Sequence, residues 1–404
     1  MTTIAQGINK LTVFKKQTGL GVSATGTGGQ VARREKSTFT LERDTFENTE
    51  IVQHQQSTGI TAGLRKVSGS LSGVVSPNTY SSFIASLLRK LFTATASLTG
   101  LSITVGGTVG AYTLTSTGLL TGGLKIGDVI RLTAGTGLNA DNLNNNLLIT
   151  ALTATIASCA TVNGSAMTLG AGTACTITVP GKKSLAPLTG HTKEYWTVEE
   201  WYPDVVRSEL FTDVMVASID IGLPSTGNTT FGASFVGLNR TLGASQVLTT
   251  PTAATTTTVQ TAVNGVVMVN GVEYATINAA SIKIDGAVAG MGAVIGANVA
   301  PDVQRGRVKV SGSITAFYQD GVMSALFDAA SAVSVVVVAC NDNTNSSDFC
   351  AYSLSAVRFT GDAPDDGEKG IIRTYPFTAE LNSVGGVALA NDQTIISIQD
   401  SQAA

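Results

Sequence analysis

Hydrophobic and polar positions alternate with a period of two through much of this chain. Ser37–Glu42 sets Phe39 and Leu41 between polar neighbours, and Leu64–Gly73 does the same with Val67 and Leu71 against Ser68, Ser70 and Ser72. Such alternation predicts half-buried strands. A longer version predicts a hairpin: Phe211–Leu223, a turn at Pro224–Asn228, then Thr229–Gly237. One face would carry Met215, Ala217, Ile219, Ile221, Phe231 and Phe235; the other carries Ser218, Asp220, Thr230 and Ser234. Antiparallel strands with one wet face read this way. Between these segments the period switches. Tyr80, Phe83, Ile84, Leu87, Leu88 and Leu91 fall at helical spacing, with Ser76 as the expected cap and Pro77 in the first turn.

The second half repeats the first at an offset of 243. Ser37–Glu42 lies over Ala280–Asp285, and Lys66–Ser72 (KVSGSLS) over Lys309–Thr315 (KVSGSIT), with equal loops between. A second helix is expected after Asp320, with Val322, Ala325, Leu326 and Ala329 as its stripe. Strands at Val333–Cys340, Phe349–Thr360 and Ile371–Glu380, with a turn at Asp362–Gly367, match the YWTVEEW strand and the 211–237 hairpin in order. Residues 94–190 have no counterpart. They are rich in Gly, Thr and Ala, poor in aromatics, and start short strands at Gly127 and Leu147. They read as a small β-domain inserted into one copy of a duplicated unit. The divisions expected are an arm at 1–36, ordered only against a partner; copy one at 37–93 plus 191–240; the insert at 94–190; a connection at 241–275; and copy two at 276–400.

Composition narrows function. The 404 residues carry 25 Lys and Arg against 28 Asp and Glu, a net charge of −3, which offers no basic footprint for nucleic acid. Hydrophobic residues at 43% argue against disorder, although only 13% are charged. Met1–Lys16 lacks an apolar core, so no secretory signal is expected, and the longest apolar run, Ala332–Cys340, is too short to span a bilayer. Four cysteines (Cys159, Cys175, Cys340, Cys350) form no C-x-x-C and read as buried hydrophobes, although Cys340 and Cys350 flank a turn and could face each other.

Candidate chemistry is sparse. No G-x-S-x-G or Walker A sequence occurs. Gly26-Thr27-Gly28-Gly29 makes a weak phosphate cradle, and neither His54 nor His191 has a carboxylate at useful spacing. Glu199 and Glu200, beside Trp201 and Tyr202, are the best enzyme-like pair, but neighbours on a strand face opposite ways. Asp362–Glu368 holds four acids without the spacing of a calcium loop. No catalytic, cofactor or metal residue is assigned.

The order ARREKSTFTLERDTFENTEI, GLRKVSGSLSG, SPNTYSSFIASLLRKLF, YWTVEEWYPDVVRSELFTD and LPSTGN resembles the tail tube proteins of long-tailed bacteriophages. The likeness is best over 30–93 and 190–240 and extends through the second copy to QTIISIQD; the insert, from GDVIRL, resembles a β insert of some members. The resemblance implies a mainly β fold, a duplicated sandwich or barrel with one flanking helix per copy. It implies a structural virion protein, assembled in the host cytoplasm into stacked rings of the viral tail. Family rings hold six tube folds, so a duplicated chain implies a homotrimer. The lumen would pass DNA without binding it, lined by Ser68, Ser70, Ser218, Asp220, Thr230, Ser234, Ser311 and Ser313, near-neutral to acidic. Implied partners are other copies, a tape measure protein and the terminator and distal tail proteins; no membrane is involved. A bacterial surface or adhesin-type β protein is the alternative, and a glycan-degrading tail enzyme the third reading.

Overall fold

The computed structural model describes residues 4–403 except Gln55, Ala275, Asp366, Gly367 and Lys369. Part of the expected Asp362–Gly367 turn thus lies outside the described residues.

The predicted hairpins assemble into one antiparallel run of eight strands. In spatial order they are Lys36–Glu47, Ile60–Val74, Thr230–Gly237, Arg207–Leu223, Ile277–Asp285, Lys309–Phe317, Ile372–Ala379 and Phe349–Phe359. The first four come from the first half of the chain and the last four from the second. The pairing register repeats as the sequence does: Phe39 opposes Gly69 and Ile282 opposes Gly312, both shifted by 243.

Behind this sheet, Trp196–Tyr202 pairs with Arg207–Leu223, and Val333–Cys340 pairs with Phe349–Phe359. Both ladders carry the same irregularity, Trp196 and Val198 opposing Val214 and Phe211, Val333 and Val335 opposing Val357 and Leu354. The free edges of these two back strands are filled alike. Leu11–Lys16 lies along Trp196–Tyr202, and Thr261–Val269 along Val333–Cys340. The N-terminal segment therefore orders within its own chain, contrary to the expected arm. Its consecutive Val13 and Phe14 point to opposite faces and are both buried, at 0% and 2% exposure, so leaving the strand free would expose apolar surface on two sides.

Two short helices, Ser81–Leu88 and Val322–Asp328, flank the halves. The first begins later than Ser76 and Pro77 suggest, because Asn78 takes a positive φ of 64° and breaks the turn. The Ser76 hydroxyl instead pairs with that of Thr79. Helix α1 (Ser81–Leu88) ends at Arg89 in the left-handed conformation. At α2 (Val322–Asp328) the cap position falls to Gly321, in the left-handed conformation and without a side-chain cap bond; Asp320, expected as the cap, lies one residue earlier and accepts the Val322 N–H in a local turn. Phe14, Phe39, Phe83 and Phe235 meet edge to face or tilted in the first-half core, and Tyr80 stacks on Phe231 at 3.8 Å.

Within 98–178, six strands close a separate barrel around Ile103, Leu114, Leu132, Ile149 and Ile177. Its neck is a bridge between Thr93 and Lys183, with two 2.9 Å backbone bonds. The outer surface of the barrel is not all solvent. Val129, Leu148, Ala160 and Val162 pack on Met268, Val336, Val338 and Phe349 of the second half. A buried ionic latch reinforces that contact. Lys183 Nζ sits 2.5 Å from Asp128 and 2.6 Å from Asp392, and Lys125 Nζ donates to the carbonyls of Gly386, Val387 and Leu389. Burial opposes the charge on Lys183, but the two carboxylates outweigh it and hold the ammonium above its ordinary range.

Two predictions follow from this packing. A Cβ on Gly312 would sit 2.1 Å from the Ser281 carbonyl oxygen and 2.5 Å from the Phe377 ring. Gly312→Ala should destabilise by about 1–3 kcal/mol in urea unfolding, while Gly290→Ala, where a Cβ meets nothing within 4 Å, should change little. Lys183→Met strands buried Asp128, so a loss of about 3–5 kcal/mol is expected, part of it recovered by adding Asp128→Asn.

Candidate functional site: one hydroxyl-lined sheet face

Strand parity decides which side chains share a face, and bulges reset that parity. The register of Arg207–Leu223 against Thr230–Gly237 slips between Val216 and Ser218, leaving Ala217 as the extra residue. Val214 and Val216 therefore join Ile219 and Ile221 in the core. Met215 turns to the other side. This corrects the expected face of Met215, Ala217, Ile219 and Ile221: an unbroken alternation cannot see the bulge. Met215 is nonetheless buried, because the loop after Asp285 folds over it with Ala300 and Val303, beside Leu64, Tyr195 and Leu238.

All eight predicted wet-face residues fall on one face of the eight-strand run. Ser70, Ser234 and Ser218 lie opposite one another in succession, as do Ser281 and Ser313 one strand pair further on. A complete row crosses the sheet: Lys36, Ser72, Gly232, Asp220, Lys283, Ser311, Thr378, Arg358. Hydroxyls bridge neighbouring strands at 2.8 Å (Ser218–Ser234), 2.9 Å (Ser281–Ser313), 2.9 Å (Thr40–Ser68) and 3.2 Å (Thr315–Thr374). These pairs satisfy each other, which leaves a short, even polar surface with few long side chains. Thr230 stands exposed near the hairpin end, where its hydroxyl bonds the Gly222 carbonyl. A shallow groove of about 730 Å³ runs along this face over Asp220, Thr230, Ser281, Lys283, Ser313 and Thr378.

Charge on the face is mixed, not acidic. Asp220 faces Lys283 at 3.7 Å across the joint between the halves, and Asp285 opposes Lys309 in the next row. The sequence pattern of the first half displayed Asp220 without the lysines that the second half brings opposite. Both partners of the Asp220–Lys283 pair are half exposed, so it contributes about 0–1 kcal/mol.

The enzyme-like features resolve into scaffolding. Glu199 is fully buried and accepts bonds from the Ser208 hydroxyl and from the N–H groups of Val247 and Leu248. Glu200 faces the other way and holds Lys10 at 2.5 Å, with the Tyr202 hydroxyl at 3.0 Å. Each carboxylate thus fastens a different segment to the same strand, and the pair shares no cleft. Gly26–Thr27 is a two-residue strand parallel to Leu248–Thr249, not a phosphate cradle. Cys340 and Cys350 sit on paired strands, but Cys350 opposes Ala339, so the two thiols face opposite sides of the sheet. All four cysteines are free and buried; burial alone pushes the Cys159 thiol up to about 12, while for Cys340 it outweighs a Ser347 hydrogen bond and leaves the thiol at about 11. Among the described residues no cluster of His, Cys, Asp and Glu could hold a metal, and no helix is long and apolar enough to cross a membrane.

The class defined by these features is a mainly β protein whose organising element is one long antiparallel sheet with a hydroxyl-lined face. The phage tail tube protein family model matches residues 7–379, nearly the whole chain, and the chain belongs to that family. The family is structural, not enzymatic, and implies a component of the virion tail. Among curated proteins none matches the sequence.

The joint itself is testable. Asp220→Lys would set two cations opposite each other at Lys283. It should lower the melting temperature more than Asp220→Asn does, and added salt should narrow the gap. Equal melting at low and high salt would mean that the pair has no role at the joint.

Proposed function

We propose that the chain polymerises into stacked rings that form the hollow tail tube through which viral DNA is ejected. The observation that carries this reading is the eight-strand sheet: one chain already joins two repeat units edge to edge with their hydroxyl faces aligned. Continued around an axis, that joint makes a closed barrel with the eight wet-face positions (Ser68, Ser70, Ser218, Asp220, Thr230, Ser234, Ser311, Ser313) toward the lumen. Closure removes sheet edges that otherwise pair without control. Short hydroxyls and balanced charges offer phosphate no cationic ring to grip, so DNA slides. Acids offset most of the cations: Asp220 faces Lys283, Asp285 faces Lys309 and Glu380 holds Arg358 at 3.1 Å, which makes this lumen near neutral with Lys36 at the sheet edge.

The repeat unit behind this reading is larger than the sequence boundaries of 37 and 276. The matching positions of Leu11–Lys16 and Thr261–Val269 support a unit that opens with its own edge-filling strand, so the 1–36 arm and the 241–275 connection each belong to a copy. Residues 94–190 form the insert. Because its barrel covers Val336, Val338 and Phe349, deleting it would bare apolar surface, which ties it to the stability of the second half. Tape measure, terminator and distal tail proteins are the partners such a tube needs, and assembly takes place in the host cytoplasm.

With two units per chain and six per ring, the ring is a trimer, threefold by symmetry and sixfold only approximately. End-on averages of assembled particles should show three insert-derived bumps, and native mass spectrometry should give multiples of three. Six chains per ring would overturn the two-unit reading; a strictly monomeric protein under all conditions would overturn the tube. A surface adhesin, the other reading, would stay monomeric or bind cells without forming hollow rings.

A further inference from the structure

The buried ionic latch at the neck of the insert holds three groups in an arrangement that a salt bridge alone does not need. Lys183 Nζ lies 2.5 Å from Asp128 Oδ1 and 2.6 Å from Asp392 Oδ2, and the side chains of Lys183 and Asp128 are only 10% and 2% exposed. Among the described ion pairs, no other lysine has two carboxylate partners. Lys10 and Glu200 are as close, at 2.5 Å, and nearly as buried, but no second acid pairs with that ammonium.

Both members of the buried pair are fixed from behind. The Lys183 backbone exchanges two 2.9 Å bonds with Thr93. Asp128 closes a turn, its N–H donating to the Lys125 carbonyl at 3.1 Å, while its own carbonyl accepts the Ile149 N–H at 2.9 Å. The two oxygens of its carboxyl have different neighbours. Oδ2 accepts the Lys125 backbone N–H at 2.9 Å, and Oδ1 meets the lysine.

We propose that Lys183 and Asp128 condense to an intramolecular isopeptide bond, with Asp392 as the proton relay. Lys183 Nζ adds to Asp128 Cγ, and the Lys125 N–H stabilises the charge that develops on Oδ2. The bond formed is Nζ–Cγ and the bond broken is Cγ–Oδ1. Oδ1 leaves as water with two of the three ammonium protons. Asp392 carries them and begins and ends as a carboxylate. No atom changes oxidation state, and no co-reactant is consumed.

Burial favours this outcome, because a neutral amide replaces two charges that are costly to keep out of water. Burial also pushes the Asp128 carboxyl up, towards the protonated form whose hydroxyl can leave. The two carboxylates hold Lys183 as the ammonium at rest, so the free amine is the minor form. Asp392, in contact with Nζ, is the group that generates it. The product closes the chain between 128 and 183 and so ties the barrel to its own neck. It would restrict the unfolded chain as a disulfide does, in a protein whose four cysteines are free.

Intact-mass spectrometry of the denatured full chain is the test. The protein should be lighter than its sequence by one water molecule. Asp-Gly steps such as Asp320-Gly321 can also lose water, so trypsin digestion locates the loss: residues 126–131 and 183–193 should appear as one branched peptide, joined at Asp128 and Lys183. Lys10 and Glu200 should stay unlinked in the same digest. Lys183→Arg keeps a cation and should show the full sequence mass. Asp392→Asn keeps both reacting groups and should lose most of the branched peptide while retaining the wild-type circular dichroism. Full sequence mass in folded wild-type protein would overturn the proposal whatever the variants do, and so would a lost water that maps elsewhere, to Asp392 included. A branch that forms equally in Asp392→Asn would overturn the relay and leave the bond standing.

Discussion

The backbone ladder between Ser218–Leu223 and Ala280–Asp285 is the constraint on which the rest of this protein depends. It joins two units whose buried side chains run together into one core, and it does so through N–H and C=O groups that a strand edge cannot leave unpaired at low cost. Because that ladder is antiparallel and in fixed register, the hydroxyl faces of the two halves become one face. Asp220 and Lys283 lie across it, but their exposed pair adds little; the backbone bonds and the isoleucines behind them, Ile219, Ile221, Ile282 and Ile284, do the holding.

Bulges let one strand serve two surroundings. Arg207–Leu223 pairs with the back strand at its start and with the second half at its end. Its register shifts at 212–213 and at Ala217 swing the apolar side from Phe211 to Val214 and from Val216 to Ile219, so each stretch turns hydrophobic side chains to the same core. Both shifts recur in the second half: the first within Phe349–Phe359, and the second between Phe359 and Ala363, which advance four residues while their partners Phe377 and Thr374 advance three. Duplicate halves therefore share their bulges as well as their strands.

The insert is a third body tied to the second half rather than a free appendage. Its barrel shares the apolar seam at Val336 and Val338, and Lys125 and Lys183 pin its neck to the 386–392 turn. A buried cation satisfied by three carbonyls, or by two carboxylates, tolerates no substitute geometry. The relative placement of barrel and sheet is therefore set by polar contacts as much as by burial.

The sequence by itself determined the strands, their duplication and the wet face. Alternation of Ser68 and Ser70 with Val67 and Leu71 fixes which side of a strand meets water, and a 243-residue repeat is a fact of order alone. The family likeness, read from ordered motifs, agreed with the match over residues 7–379. Only the tertiary structure decided matters that depend on residues far apart in the chain. The N-terminal strand looked like a loose arm because its partner, Trp196–Tyr202, lies about 180 residues away. The faces of Met215 and Ala217 were misread because a bulge adds one residue without a sequence mark. That Glu199 and Glu200 face opposite ways followed from their being neighbours on a strand, but their partners, the Val247 N–H and Lys10, are visible only in the fold. The lysines of the hydroxyl face stayed hidden for the same reason: Lys283 acquires its neighbour Asp220 only when the two halves pair.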